Sequence, residues 1–115
     1  MDKIKKSHAI SSLRRGTYKW RERWIAEKRS HIGRGEYVCE TCGLITKKAN
    51  TQIDHTDPVV DPTKGWEGFD IFIERLFVTA DKLTRMCIPC HKEKSKNENL
   101  IRKETAKKQA KKETP

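Results

Sequence analysis

The sequence has no long hydrophobic run. Nothing in its 115 residues approaches the ~20 apolar residues that a membrane-spanning helix needs, so no membrane partner is expected. The start, Met1-Asp2-Lys3-Ile4-Lys5-Lys6, lacks the apolar stretch of a secretory signal, and a cytoplasmic location is the expectation. Aromatic residues are scarce at 7%, and only 34% of the chain is hydrophobic against 37% charged. A core built from so few apolar side chains is thin, and small folds of this kind need a staple. The sequence also lacks a glycine-rich phosphate loop and any internal repeat, which removes the P-loop and solenoid classes. One small domain is expected.

What is present is a cysteine pattern. The four cysteines fall in two pairs, Cys39-Glu40-Thr41-Cys42 and Cys87-Ile88-Pro89-Cys90. Each Cys-x-x-Cys places two thiolates on one tight turn, and two such turns supply the soft ligands of a tetrahedral zinc. Two disulfides are the alternative, and without a route out of the cell the metal reading is preferred. A structural Zn2+ on Cys39, Cys42, Cys87 and Cys90 would contribute several kcal/mol of folding energy. His91 follows the last cysteine directly, and Asp54-His55 lies between the pairs. A zinc that fixes the cysteines therefore gathers Asp54, His55 and His91 into one neighbourhood.

The net charge is +10, unevenly spread. Residues 1–36 hold eleven Lys/Arg against four Asp/Glu, and residues 92–115 hold nine against four. Residues 37–91 hold six against eight. Basic arms suit a polyanion partner, because each neutralised phosphate releases counterions; Lys-rich ends can equally serve only for solubility. A slightly acidic centre is natural where carboxylates hold a divalent cation.

Residues 1–12 read as a polar, frayed arm with a solvated His8. Thr17 is a candidate cap for a helix running to about His31 and ended by Gly33 or Gly35. Trp20 and Trp24 lie one turn apart and read as the face that packs on the domain. Arg14, Arg15, Lys19, Arg21 and Arg23 are left to touch phosphates. Tyr37-Val38-Cys39 reads as a strand into the first cysteine turn, with Leu44-Ile45-Thr46 returning. Thr51-Gln52-Ile53-Asp54-His55 alternates in strand fashion. Residues 57–65 form a loop, since their prolines stop any ladder. Phe69, Ile73, Leu76 and Phe77 mark an amphipathic core helix over 66–77. Leu83-Thr84-Arg85-Met86 is a strand into the second cysteine turn, and the chain from Cys90 is helical. His91 and Lys94 share a helix face. Residues 105–115 have no apolar stripe.

Four explanations compete for this constellation. Cys-x-x-Cys-His91 is also the c-type haem attachment pattern, but that leaves the first pair idle. A thioredoxin-like redox pair lacks its βαβ context. A zinc ribbon that only binds DNA accounts for the cysteines and the charge. A nuclease accounts for Asp54, His55 and His91 as well. Its chemistry needs a divalent metal, Mg2+, Mn2+ or another, to neutralise charge on the scissile phosphate and leaving oxygen. One carboxylate and one imidazole, Asp54 and His91, suit that metal. Histidine titrates near neutrality, and His55 suits the general base. Adjacent strand residues point to opposite faces, so a kink or strand end at 54–55 is required. Lys94 or Arg85 is placed to hold a neighbouring phosphate.

These residues resemble the HNH endonuclease family, whose active site is the ββα-metal motif. The likeness covers roughly residues 37–95. It rests on Tyr37-Val38-Cys39-Glu40-Thr41-Cys42-Gly43, on Ile53-Asp54-His55-Thr56-Asp57-Pro58-Val59, and on Leu83 through Lys94 with its Cys87-x-x-Cys90-His91 core. Small bacteriophage HNH proteins are similar in the upstream Arg14-Arg15 and Tyr18-Lys19-Trp20 and in the helix before the second cysteine turn. The resemblance implies Asp54 as metal ligand, His55 as general base and His91 as completing the metal site. It departs at one place. The family's usual asparagine before the second strand is here Lys82, preceded by Asp81. That asparagine braces the base-carrying loop; a Lys side chain only donates, and Asp81 is the candidate replacement.

The expectation is therefore an α+β fold: a zinc-stapled ββα-metal core over 37–103, a basic arm and helix over 1–36, and a basic tail over 104–115 that is helical on a nucleic acid and disordered without one. The expected function is metal-dependent hydrolysis of DNA phosphodiester bonds by an HNH endonuclease, nicking unless the chain forms a homodimer. The alternatives are a non-catalytic zinc-ribbon DNA-binding protein and an accessory subunit that acts with a phage packaging partner.

Overall fold

Two small antiparallel sheets flank the cysteine turns. The first runs β1 (His31–Gly33), β2 (Glu36–Val38), β3 (Ile45–Lys47) in that order. The second pairs β4 (Thr51–His55) with β5 (Leu83–Cys87). The computed structural model describes residues 2–113 and adds helices α1 (Lys3–Gly16), α2 (Arg21–Ser30), α3 (Phe69–Leu76) and α4 (Ile88–Glu113). The class is α+β. Among the described residues, no helix is long and apolar enough to cross a membrane.

The β4–β5 ribbon organises the rest. Its register is regular from Thr51↔Cys87 through Ile53↔Arg85 to His55↔Leu83. Period-two alternation sends Thr51, Ile53 and His55 to one face and Gln52 and Asp54 to the other. Ile53 packs there with Ala26 of α2, Ala80 and Leu83. Helix α4 begins directly after β5 and packs back on the opposite face of the ribbon. The order strand, strand, helix thus puts Asp54 against α4.

A second cluster holds the long β4–β5 connection. Val59, Phe72 and Leu76 are buried, with Ile10, Leu13, Val60, Trp66, Phe69 and Phe77 around them. Burying a Phe or Leu side chain contributes about 1.5–3 kcal/mol, so this cluster fixes α1 and α3 to one another. Helix α3 starts at Phe69 rather than Trp66, because Gly68 at φ 101° breaks the helix. Trp66 still packs edge-on against Phe69, with ring centroids 5.0 Å apart.

The N-terminal arm differs from expectation. Residues 3–16 are helical, not frayed. The Asp2 carboxylate accepts the Ile4 N–H at 2.6 Å and the Lys5 N–H at 3.4 Å, capping the helix. Thr17 does not cap α2; its hydroxyl donates to the Arg14 carbonyl at 2.6 Å. Helix α2 starts only at Arg21, after the extended Trp20. The indole of Trp20 donates to the Val78 carbonyl at 2.7 Å and its ring meets Phe77 edge-on at 5.5 Å. Trp24 does not pack: it is 57% exposed.

Elements cross both expected domain boundaries. Strand β1 precedes residue 37 yet pairs with β2, and α4 runs unbroken past residue 104. The expected tail is helical to Glu113, and its last two residues lie outside the described residues.

Candidate functional site

The cysteine turns close on each other. Gly43, at φ 81°, lets the first turn fold back, with its N–H on the Cys39 carbonyl at 2.8 Å and the Cys39 N–H on the Leu44 carbonyl at 2.8 Å. Strand β5 and the first turn of α4 bring Cys87 and Cys90 to the same point. The four sulfurs lie within 4.8 Å of one another, and all four thiols are free. Cys42 Sγ is 3.7 Å from Cys87 Sγ. A tetrahedral zinc about 2.3 Å from each sulfur sets sulfurs about 3.8 Å apart.

The thiol electrostatics fit a cation. Burial pushes the Cys39 thiol up, but the backbone N–H groups of Cys42, Cys87 and Thr41 outweigh it and hold the thiol down at about 6. Hydrogen bonding to Cys87 and Cys42 pushes the Cys90 thiol well above the ordinary range. Four crowded sulfurs resist four negative charges; a bound divalent cation removes that conflict. The residues present therefore form a four-cysteine site for a metal such as zinc.

A hard cluster lies on the α4 face of the ribbon. Asp54 Oδ2 is 3.7 Å from His91 Nε2 and 3.1 Å from Lys94 Nζ. Asp54 Oδ1 accepts the His55 backbone N–H at 2.8 Å. Lys94 also reaches Glu98 Oε1 at 2.5 Å, one helical turn on. Burial lowers the Lys94 pKa, but Glu98 and Asp54 outweigh it and raise it. So Asp54 and His91 converge as expected from sequence, and Lys94 is the counterion of Asp54 rather than a free phosphate ligand.

His55 faces the other side of the ribbon. The pairing is regular through His55↔Leu83, so no kink separates Asp54 from His55; the strand ends at His55. His55 Nε2 lies 2.7 Å from the Leu76 carbonyl. A carbonyl only accepts, so the neutral ring carries its proton on Nε2 and leaves a lone pair on Nδ1. The ring lines a cleft of about 350 Å³ with Asp57, Glu74, Arg75, Val78, Thr79 and Lys82. The loop after His55 is braced by backbone: the Thr56 N–H donates to the Lys82 carbonyl at 2.9 Å. Asp81 does not take over the asparagine's place; it accepts from the Thr79 hydroxyl within its own turn.

Arg85 is a correction. Expected on phosphate, it is 2% exposed. Its Nε donates to Ser30 Oγ at 3.1 Å and its Nη1 to Thr51 Oγ1 at 2.9 Å, beneath the Tyr37 ring. Arg14, Arg15, Lys19 and Arg21 are exposed. Arg23 is half-buried, with its guanidinium 4.3 Å from the Tyr18 ring centroid.

Sequence reasoning missed the pair that ties α2 to the cysteine turn. Arg29 makes a two-pronged contact with Glu40, both at 2.7 Å, and donates to the Ala80 and Leu83 carbonyls. Glu40 also accepts the Arg85 N–H at 2.8 Å. The placement of Glu40 between two zinc-type cysteines, and of Arg29 in the last turn of α2, was the available signal. No protein-family model, no curated protein and no solved structure matches the chain.

Proposed function

We propose that this chain is a metal-dependent endonuclease of the HNH, ββα-metal type that hydrolyses DNA phosphodiester bonds. One observation carries the reading. A two-stranded ribbon is followed directly by a helix, and Asp54 on the ribbon meets His91 on the helix at 3.7 Å, beside a four-cysteine site that pins both elements. Asp54 and His91 would hold a divalent ion such as Mg2+ or Mn2+, whose remaining positions would go to water and phosphate. Such an ion, when bound, offsets charge on the phosphate and the leaving oxygen.

The chain's own groups do the rest. His55 Nδ1, with Nε2 held by the Leu76 carbonyl, accepts a proton from the attacking water. Lys82 shares the cleft with His55 and supplies a cation to the phosphate instead of a brace. Asp54 and His55 are consecutive at the end of β4, so a phosphate bound at that strand end would be approached from both faces. Basic side chains of α1, the turn after it, α2 and α4 supply the electrostatic attraction for DNA.

The test is conversion of supercoiled plasmid to open-circular or linear DNA in Mg2+, Mn2+ and EDTA. Cleavage that needs metal and disappears in His55→Ala supports the reading. A folded, zinc-loaded protein that binds DNA yet stays inactive in every metal points to the zinc-ribbon DNA-binding alternative, or to an accessory subunit that needs a packaging partner.

A further inference from the structure

The carboxylates of helix α2 are all engaged, and its exposed stripe is basic and aromatic. Glu22 accepts the Ala80 N–H at 3.2 Å through Oε1, and its Oε2 stands 3.7 Å from Arg21 Nε, a loose pair at an arginine that is 83% exposed. Glu27 pairs with Lys48 at 3.8 Å. Arg29 is drawn to Glu40. The carboxylates are thus engaged with the fold. The outward face holds Arg21, whose side chain is 83% exposed, then Trp24 and Lys28. These are at i, i+3 and i+7, one stripe of a helix. Lys28 Nζ stands 3.9 Å from the Trp24 ring centroid. In the turn before α2, Tyr18 is 71% exposed and Arg23 lies over its ring.

An indole left in water with an ammonium beside it, on a helix whose acids are already engaged, is suited to one occupant above others. The ring offers a flat apolar face and the flanking cations offer charge for a phosphate backbone. A paired base inside a duplex has no free face to stack on; an unpaired base does. We propose that the Arg21–Trp24–Lys28 face of α2 binds unpaired DNA, with Trp24 stacking on a base and Arg21 and Lys28 on the flanking phosphates. This rests on the DNA reading above and adds a preference for single-stranded or locally opened substrate, at a surface separate from Asp54, His55 and His91.

The experiment measures binding of a labelled oligothymidine and of a duplex of equal length to the zinc-loaded full chain. Parent, Trp24→Ala and Trp24→Phe are compared by anisotropy and by quenching of tryptophan fluorescence. Loss of one stacked base is expected to weaken oligothymidine binding roughly tenfold in Trp24→Ala. Trp24→Phe keeps part of the affinity, and duplex binding changes little. Because Trp24 is exposed, thermal melting should match the parent; Trp24→Phe keeps the comparison valid if the alanine variant melts early. Equal oligothymidine affinity in parent and Trp24→Ala overturns the proposal while leaving the nuclease reading intact. A parent that binds no DNA of either kind overturns both. A concentration-dependent dimer that Trp24→Ala abolishes, with DNA affinity unchanged, assigns the face to a second copy of the chain and also overturns the proposal.

Discussion

The two candidate metal sites are neighbours, sharing the first turn of α4 through Cys90 and His91, and are built on opposite principles. The cysteine quartet is soft and closed. Its sulfurs lie within 4.8 Å of one another and the backbone donates hydrogen bonds into it. The Asp54 cluster is hard and open. Its oxygen and nitrogen ligands lie 3.7 Å apart, with a lysine already balancing the carboxylate. The first could hold a cation such as zinc; in the proposed function the second would hold one that comes and goes. Structural and catalytic sites divide along this line generally, the one saturated by protein, the other leaving positions for water and substrate.

Breaking the quartet should have the largest effect. Cys87→Ser, or a strong chelator, removes a ligand set that in small zinc folds supplies on the order of 10 kcal/mol. Loss of the cooperative thermal transition is expected, and recovery on adding Zn2+ to the chelated parent. A quartet that tolerates the change with an unaltered melt is not a zinc staple.

The next effect falls on chemistry alone. His55→Ala should lower cleavage roughly 10²–10⁴-fold while the melting temperature moves little, since the ring makes one hydrogen bond to Leu76. A large fall in stability instead would make His55 a structural residue. Third, Arg29→Ala removes the contact that joins α2 to Glu40 and to two carbonyls. Hydrogen bonds to charged groups are worth about 1.5–3 kcal/mol, and Arg29 is partly exposed, so a loss of about 2 kcal/mol in denaturant melts is the expectation. Smallest is Lys94→Met. Without its ammonium, Asp54 has no competing cation, and the affinity for Mn2+ measured by calorimetry should rise severalfold. Weaker binding would mean that Lys94 supports the hard site instead of screening it.

The sequence disclosed these regions unequally. Cysteine spacing named the quartet because tetrahedral geometry demands it. Strand β4 was legible residue for residue, since Thr51 to His55 alternates cleanly. Arg85 was misread because its charge was given more weight than its position. It shares a face with Leu83 and Cys87 in β5, where all three are buried, and period two alone places it inward. Helix α1 was missed for another reason. Ile10 and Leu13 are its hydrophobic anchors, too few for a periodic signal, although Asp2 is an ordinary N-cap. Trp24 defied its neighbour Trp20 because α2 begins at Arg21 rather than just after Thr17. Trp20 is therefore extended and outside the helix, and the two indoles do not share a helical face. The opposite facing of Asp54 and His55 followed from strand geometry; that the ring would find the Leu76 carbonyl depends on a contact 21 residues away, beyond any local pattern.

The most direct measurement removes one metal and keeps the other. Zinc-loaded protein is treated with a mild chelator until only the quartet's zinc remains by elemental analysis, then mixed with supercoiled plasmid before and after adding Mg2+. No cleavage is expected before, and nicked or linear product after, with zinc content constant. Cleavage by zinc-only protein, or none after Mg2+ is restored to folded protein, would contradict a division of labour between the two sites.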